Sequence, residues 1–204
     1  MEEKLMQVVE ALRKRGIKAD FVPDKESAKK ELLERIPAGA SVGIGGSITI
    51  EQLGVEKALA DKGCNVYWHW RASKEETMQT RRAAVAADIY LASSNAITED
   101  GRLVNIDGMG NRLTGMVFGP PRVILVIGSN KLAPNLDAAI DRARNKATVP
   151  NVKRLGIKAP CYYTGHCISD CASPSRACKV LMVIERKPTA TDIEVILVGE
   201  ELGY

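Results

Sequence analysis

The chain reads as an α/β protein with a mainly parallel sheet and helices on both faces. Three observations carry that reading. Helical and extended patterns alternate through the first 93 residues, buried-strand segments recur further on, and the composition is that of an ordinary globular chain. Hydrophobic residues make up 45% and charged residues 26% of the 204 residues. That excludes disordered, collagen-like and coiled-coil classes and leaves enough chain for a sizeable core. Only nine residues are aromatic, so the core is one of Ala, Val, Ile and Leu.

The elements follow in order. Leu5, Val8, Val9 and Leu12 recur at helical spacing, giving an amphipathic first helix that ends near Gly16. Lys18–Val22 is extended, and a second helix runs from Asp24, its N-cap, to about Ile36, stopped by Pro37. Ser41–Ile44 is a short buried strand leading into Gly45-Gly46-Ser47. Glu51–Lys62 reads as helix, Asn65–Trp68 as strand, Ser73–Ala86 as a helix capped by Ser73, and Asp88–Ser93 as strand. The stretch 95–111 is rich in Asp-Gly turns and reads as a β hairpin. Arg122–Ile127 is a strong buried strand, followed by a helix from about Ala133 to Ala147. Residues 159–178 look irregular, and Lys179–Glu185 and Ile193–Val198 read as two closing strands. With no repeat, low-complexity tract or linker, residues 1–204 are expected to form one domain.

Charge and cysteine usage narrow the function classes. The net charge is +4 and the basic residues are dispersed, with no aromatic-plus-basic stacking surface, so nucleic-acid binding is not expected. No apolar run approaches the ~20 residues of a membrane span, and the start, MEEKLMQVVEALRKR, is charged rather than signal-like. A soluble cytoplasmic protein is the expectation. Four of the five cysteines fall within 18 residues, which in such a chain points to metal before disulfides.

Three motifs carry chemistry. Val42-Gly43-Ile44-Gly45-Gly46-Ser47-Ile48-Thr49 is a glycine-rich turn between strand and helix. Its backbone N–H groups and the Ser47 and Thr49 hydroxyls suit an anion, though a tight turn with Ser47 as N-cap is the plain alternative. It is neither a Walker loop nor a full dinucleotide fingerprint. The stretch Asn95–Arg112 concentrates Asn, Asp and Thr side chains. Turn capping explains such residues without a ligand, while Asp100 and Asp107 could act as acid or base or hold a cation. The third motif is Cys161-x5-Cys167-x3-Cys171-x6-Cys178. Four thiolates match the ligand count of a zinc ion or a [4Fe–4S] cluster, and a cluster's separate iron corners tolerate this uneven spacing better. Free thiols remain the third option. His166 is a loop residue beside the site, and Asp170 and Arg176 would tune its charge. Cys64 reads as a small core residue. Tyr67–Trp70 suits core packing or a pocket wall, Arg81–Arg82 a solvated helix face. Asn130 and Lys131, past the buried strand, either reach an anionic ligand or form a plain loop leading to the next helix.

With these residues collected, the sequence resembles the LUD (lactate-utilisation) domain family, whose members include the third protein of the bacterial lactate-oxidation operon. The matching segments are VGIGGSITIEQLG (42–54), ADIYLASSNAITEDGRLVNIDGMGNRL (87–113), FGPPRVILVIGSNKL (118–132) and RARNKATVPNVKRL (142–155), in the family's order. The resemblance implies a Rossmann-like, mainly parallel sheet of the ribose-phosphate isomerase, CoA-transferase and formyltetrahydrofolate cyclo-ligase type, with an added β segment. It raises the weight of Gly45, Gly46, Ser47 and Thr49 as ligand contacts, with Asn95, Thr98, Asn105, Asn130 and Lys131 beside them. Asp100, Asp107, Asn111 and Arg112 enter as catalytic candidates without fixed roles. The family is associated with oxidation of lactate to pyruvate beside iron–sulfur partners. The four-cysteine stretch resembles a subset of stand-alone members and sets this chain apart from the lactate-operon proteins.

Three functions follow as expectations. The first is an iron–sulfur protein, with [4Fe–4S] or alternatively zinc on Cys161, Cys167, Cys171 and Cys178, doing redox or Lewis-acid chemistry on a small hydroxy-acid-like metabolite. The second is a non-redox isomerase, transferase or cyclo-ligase binding a phosphorylated, CoA-linked or folate-like ligand at the glycine loop. The third is a metabolite-sensing accessory subunit. The expected partners are a small anionic metabolite, a redox partner protein and other copies of the chain.

Overall fold

The computed structural model describes residues 2–204. Its strands are β1 (Lys18–Val22), β2 (Ser41–Ile44), β3 (Asn65–Trp68), β4 (Ile89–Ala92), β5 (Ala96–Thr98), β6 (Leu103–Asp107), β7 (Arg122–Gly128), β8 (Leu132–Ala133), β9 (Val180–Ile184) and β10 (Asp192–Val198). Six of them make one sheet in the order β1-β10-β7-β4-β2-β3, and every pairing in it is parallel. The other four make a smaller mixed sheet, β8-β5-β6-β9.

Strand alternation sends side chains to both faces of the large sheet, and each face meets its own helices. On one side Tyr90, Ala92, Val123, Leu125 and Val195 pack with Leu5, Val8, Val9 and Leu12 of α1 (Glu2–Lys14). On the other, Ile44, Leu91, Ile124, Val126 and Ile196 pack with Ala28 and Leu32 of α2 (Lys25–Arg35), and with Ile50, Leu53 and Leu59 of α3 (Ile48–Leu53) and α4 (Glu56–Asp61). Cys64 lies in this second core. The α2 cap is as the sequence predicts: the Asp24 carboxylate accepts from the Ser27 N–H at 2.7 Å. The mainly parallel α/β expectation therefore holds, with helices on both faces.

Several boundaries differ, each for a local reason. The helix expected over Glu51–Lys62 is two helices, because Gly54 takes a left-handed conformation (φ 59°) that ends α3. The helix expected from Ser73 begins four residues later as α5 (Thr77–Val85). Ser73 instead closes a preceding turn, its hydroxyl accepting from the Glu76 N–H at 3.3 Å. After α6 (Asn111–Val117), the helix expected over Ala133–Ala147 starts at α7 (Leu136–Arg142), where Asn135 caps it. It then passes through a π-type segment, Ala143–Thr148, into α8 (Val149–Arg154). Pro150 has no N–H to donate to the turn before it, and the widened turn lies immediately upstream. The irregular stretch opens with a one-turn helix, α9 (Pro160–Thr164). The two closing strands part company: β9 pairs antiparallel with β6 in the small sheet, and β10 enters the large sheet between β1 and β7.

Two buried features set the strength of this framework. Glu194 on β10 is 6% exposed and takes Arg122 Nε at 2.6 Å and Nη2 at 3.1 Å, with Arg35 Nη1 at 3.3 Å. Gly43 on β2 lies so close under α5 that an added β-carbon would strike the Ala84 backbone carbonyl. This glycine of the Gly-rich motif thus serves helix packing. Gly43→Ala is expected to cost roughly 3 kcal/mol through overpacking against rigid backbone. Urea unfolding checks it, and an unchanged midpoint would mean that α5 does not lie this close.

Candidate functional site

The carboxyl ends of β2, β4 and β7 deliver three short connections to one edge of the large sheet, the edge where open α/β sheets bind ligands. These are Gly45–Ser47, Ser93–Asn95 and Ser129–Lys131. They floor a cavity of about 1040 Å³. Of the sequence candidates, Gly46, Ser47, Thr49, Asn95, Asp107, Asn111, Arg112 and Lys131 line it. Gly45, Thr98, Asp100, Asn105 and Asn130 are not among its lining residues.

Local structure explains most of these placements. Ser47 caps α3, its hydroxyl accepting from the Ile50 N–H at 3.3 Å. Gly45 gives way to Tyr90 and Arg112, which an added β-carbon would crowd. Asp100 sits away from the cavity in the β5–β6 turn, paired with Arg15 Nη2 at 2.8 Å and Arg102 Nε at 3.1 Å and accepting from the Thr98 hydroxyl. Burial alone would raise its pKa, and these hydrogen bonds and cations lower it below the ordinary carboxylate value. Asn130 braces the C-terminal segment, accepting from the Leu202 N–H at 3.2 Å and donating to the Gly203 carbonyl at 3.2 Å. Asp107 reaches the cavity, but its oxygens cap the turn and helix that follow, taking the Met109 and Arg112 N–H groups at 3.0 Å each.

Arg112 is the hub of the polar block. Nη1 donates to the Ser93 carbonyl at 3.0 Å and Asn105 Oδ1 at 3.2 Å. Nη2 donates to Asn95 Oδ1 and the Ile106 carbonyl at 2.8 Å each. Asn105 is wholly buried and donates in turn to the Ser94 hydroxyl at 3.0 Å. The Asn-rich motif is therefore a hydrogen-bonded bracket that fixes one wall of the cavity.

The cavity is strongly basic. Arg71, Arg81, Arg112, Arg154, Arg176, Lys131 and Lys179 line it against only Glu51 and Asp107. Arg81, expected on a solvated helix face, turns inward from α5, and its buried Nε has no hydrogen-bond partner. His69 and Trp70 follow β3 and form an aromatic side, while Tyr67 and Trp68 pack against the cores, so the Tyr67–Trp70 segment divides between the two alternatives. The Arg154 guanidinium lies 4.7 Å above the Trp70 ring. Burial, followed by the charge of Arg81, pushes the His69 pKa down to about 4 against the pull of Asp107, so the imidazole is neutral at neutral pH. Lys131 is 3% exposed, and its Nζ lies 2.8 Å from both Thr49 Oγ1 and Ser93 Oγ. Arg81, Arg154, Lys179 and Tyr204 were missed as site residues by sequence reasoning. The two arginines read as solvated helix residues and Lys179 as the start of a strand, so nothing local marks them.

The four-cysteine loop forms part of the same cavity. Residues Pro174–Ala177, between Cys171 and Cys178, and Lys179 make one wall. All four thiols are free and partly buried. Burial raises the Cys161 pKa, and the other three cysteines raise it further. Among the described residues, no three His, Cys, Asp or Glu side chains close around a point as ligands of one ion. Backbone contacts hold the loop: the Cys167 N–H donates to Asn145 Oδ1 at 2.8 Å, and Arg176 donates to the Cys178 and Cys171 carbonyls at 2.8 and 3.2 Å. Ser169, with φ 62°, turns its N–H onto Cys167 Sγ at 3.4 Å.

The LUD domain family model matches residues 5–198, nearly the whole chain. The chain belongs to the LUD domain family. This LUD domain also resembles the crystal structure of a DUF162 family protein from Deinococcus radiodurans, with a TM-score of 0.54 and 12% identity over 97% of each chain. That likeness is one of fold. No curated protein matches the chain. Among the described residues of this LUD domain, no helix is long and apolar enough to cross a membrane.

Proposed function

We propose that this LUD domain binds a small hydroxy-acid-like anion in the basic cavity, and that Cys161, Cys167, Cys171 and Cys178 hold a [4Fe–4S] cluster beside it. The observation that carries the reading is that the segment joining Cys171 to Cys178 is itself a cavity wall. The donor set fits: four free thiols on one loop, a backbone N–H directed at Cys167 Sγ, and Arg176 bracing two of the ligand residues. The uneven spacing of the four cysteines along the chain suits the separate iron corners of a cluster better than a single zinc ion. When bound, the cluster would supply one-electron transfer or a Lewis-acidic iron. The chain's own residues do the rest. Arg81, Arg154 and Lys179 draw the anion in, and the Arg112 bracket keeps the wall rigid. An electron-transfer role would require a separate redox protein as partner.

A second reading keeps the cavity and makes the thiols structural. A volume of about 1040 Å³ exceeds what a three-carbon acid fills, which favours a phosphorylated, CoA-linked or folate-like ligand. Anaerobic purification separates the two. The first reading expects a brown protein with about four iron atoms per chain, and Cys171→Ser is expected to abolish iron incorporation. A colourless, zinc-loaded protein would refute it. A thermal-shift panel of lactate, inorganic phosphate and CoA then ranks the ligand classes.

A further inference from the structure

Lys131 is the one lysine lining the cavity floor, and its surroundings are not those of a charge-paired residue. Its nitrogen contacts two hydroxyls, Thr49 Oγ1 and Ser93 Oγ, each at 2.8 Å. Each hydroxyl directs its own proton to a carbonyl, Thr49 to Leu202 at 3.3 Å and Ser93 to Ser94 at a longer 3.5 Å. Both hydroxyls are therefore acceptors toward Lys131. An uncharged amine has two N–H bonds to give, and these two contacts use both. Its remaining lone pair is left for the cavity that Lys131 lines. No carboxylate pairs with it among the described residues, and its charged neighbours are Arg142 and Arg112.

We infer that Lys131 is an amine nucleophile that condenses with the carbonyl group of a small anionic 2-oxo acid or aldehyde to form an imine. The amine lone pair adds to the carbonyl carbon, and the displaced π pair takes a proton that leaves the nitrogen. The resulting carbinolamine loses its hydroxyl together with the remaining N–H proton as water, the nitrogen lone pair closing the C=N bond of the neutral imine. Burial first, then the charges of Arg142 and Arg112, hold the Lys131 pKa well below the ordinary lysine value, which favours the uncharged amine the addition needs. The Arg81 guanidinium and the Lys179 ammonium, both on the cavity lining, suit the ligand's anionic group. This inference rests on the anion-binding half of the reading above and is independent of the thiol loop.

Reductive trapping tests it. The full chain is incubated with pyruvate or glyoxylate and sodium cyanoborohydride, which delivers hydride to the imine carbon, and adducts are mapped by peptide mass spectrometry. At about pH 6 an exposed lysine, with a pKa near 10.4, holds only about one uncharged amine in 25,000. The expected result is alkylation of Lys131 at least about tenfold above any other lysine, lost in Lys131→Met. Absence of an adduct at Lys131, or adducts spread evenly over exposed lysines, overturns the inference. A thermal shift with the same two acids but no trapping sinks the imine and leaves the anion site standing. No shift with either acid, lactate or phosphate counts against both.

Discussion

Arg112→Met is expected to lower the unfolding free energy by roughly 3–5 kcal/mol, a large share of the total for a chain of this size. The guanidinium links the loop after β4 to β6 by four hydrogen bonds: two to backbone carbonyls and two to the Asn95 and Asn105 side chains. Methionine fills similar volume but leaves those acceptors without their donor in a buried site. Burial tends to lower the Arg112 pKa, and Asp107 opposes that. Arg112→Lys is expected to recover less than half of the loss, because a single ammonium cannot reproduce the planar fork. Urea unfolding of the three proteins checks this. A loss below about 1 kcal/mol for the methionine variant would show that the bracket is incidental to stability.

Glu194→Gln is expected to cost about 2–3 kcal/mol at neutral pH, less than a fully buried pair because Arg122 is 29% exposed. The pH dependence distinguishes charge pairing from shape. Burial works against the Glu194 carboxylate, but the hydrogen bonds and charge of Arg122, with Arg35, outweigh it and lower its pKa. A depressed folded pKa means that stability is fully present above the ordinary glutamate value and is lost as pH falls through the folded one. The gap between wild type and Glu194→Gln is therefore expected to be widest at neutral pH and to close in acid. A gap independent of pH would assign the cost to packing instead.

Much of the framework was legible because the strands are short runs bounded by turn residues, α1 shows one apolar stripe, and α2 and α3 open on the capping side chains Asp24 and Ser47. Lys18–Val22, Ser41–Ile44 and Asn65–Trp68 match the observed strands residue for residue. What the sequence does not display is which sheet a strand joins. Val180–Ile184 and Asp192–Val198 look alike as β segments, and only the tertiary partners, β6 for one and β1 with β7 for the other, separate them. The site divided along the same line. Gly46, Ser47, Thr49 and Lys131 stand at strand ends, where pattern alone points to ligand contact. Arg81 and Arg154 look like any solvated helix residue until packing turns α5 and α8 toward the cavity. The Asn/Asp block shows the reverse case. Asn105 and Asp100 carry the chemistry of a site and serve as a buried brace and a turn pair.

The position of β10 also bears on how the chain is made. β1 pairs only with β10, and β7 meets β10 on its other edge, so residues 192–198 join the N-terminal strand to the rest of the sheet. During synthesis, which proceeds at roughly 5–20 residues per second, residues 23–191 are made between the two strands, so β1 waits on the order of 10–30 s for its strand partner. Over that interval one edge of β7 is unpaired. Until β10 is made, the nascent chain therefore carries an open strand edge of the kind that invites pairing with other chains. Fusions that hold residues 192–198 back are expected to trap it as an open, aggregation-prone intermediate.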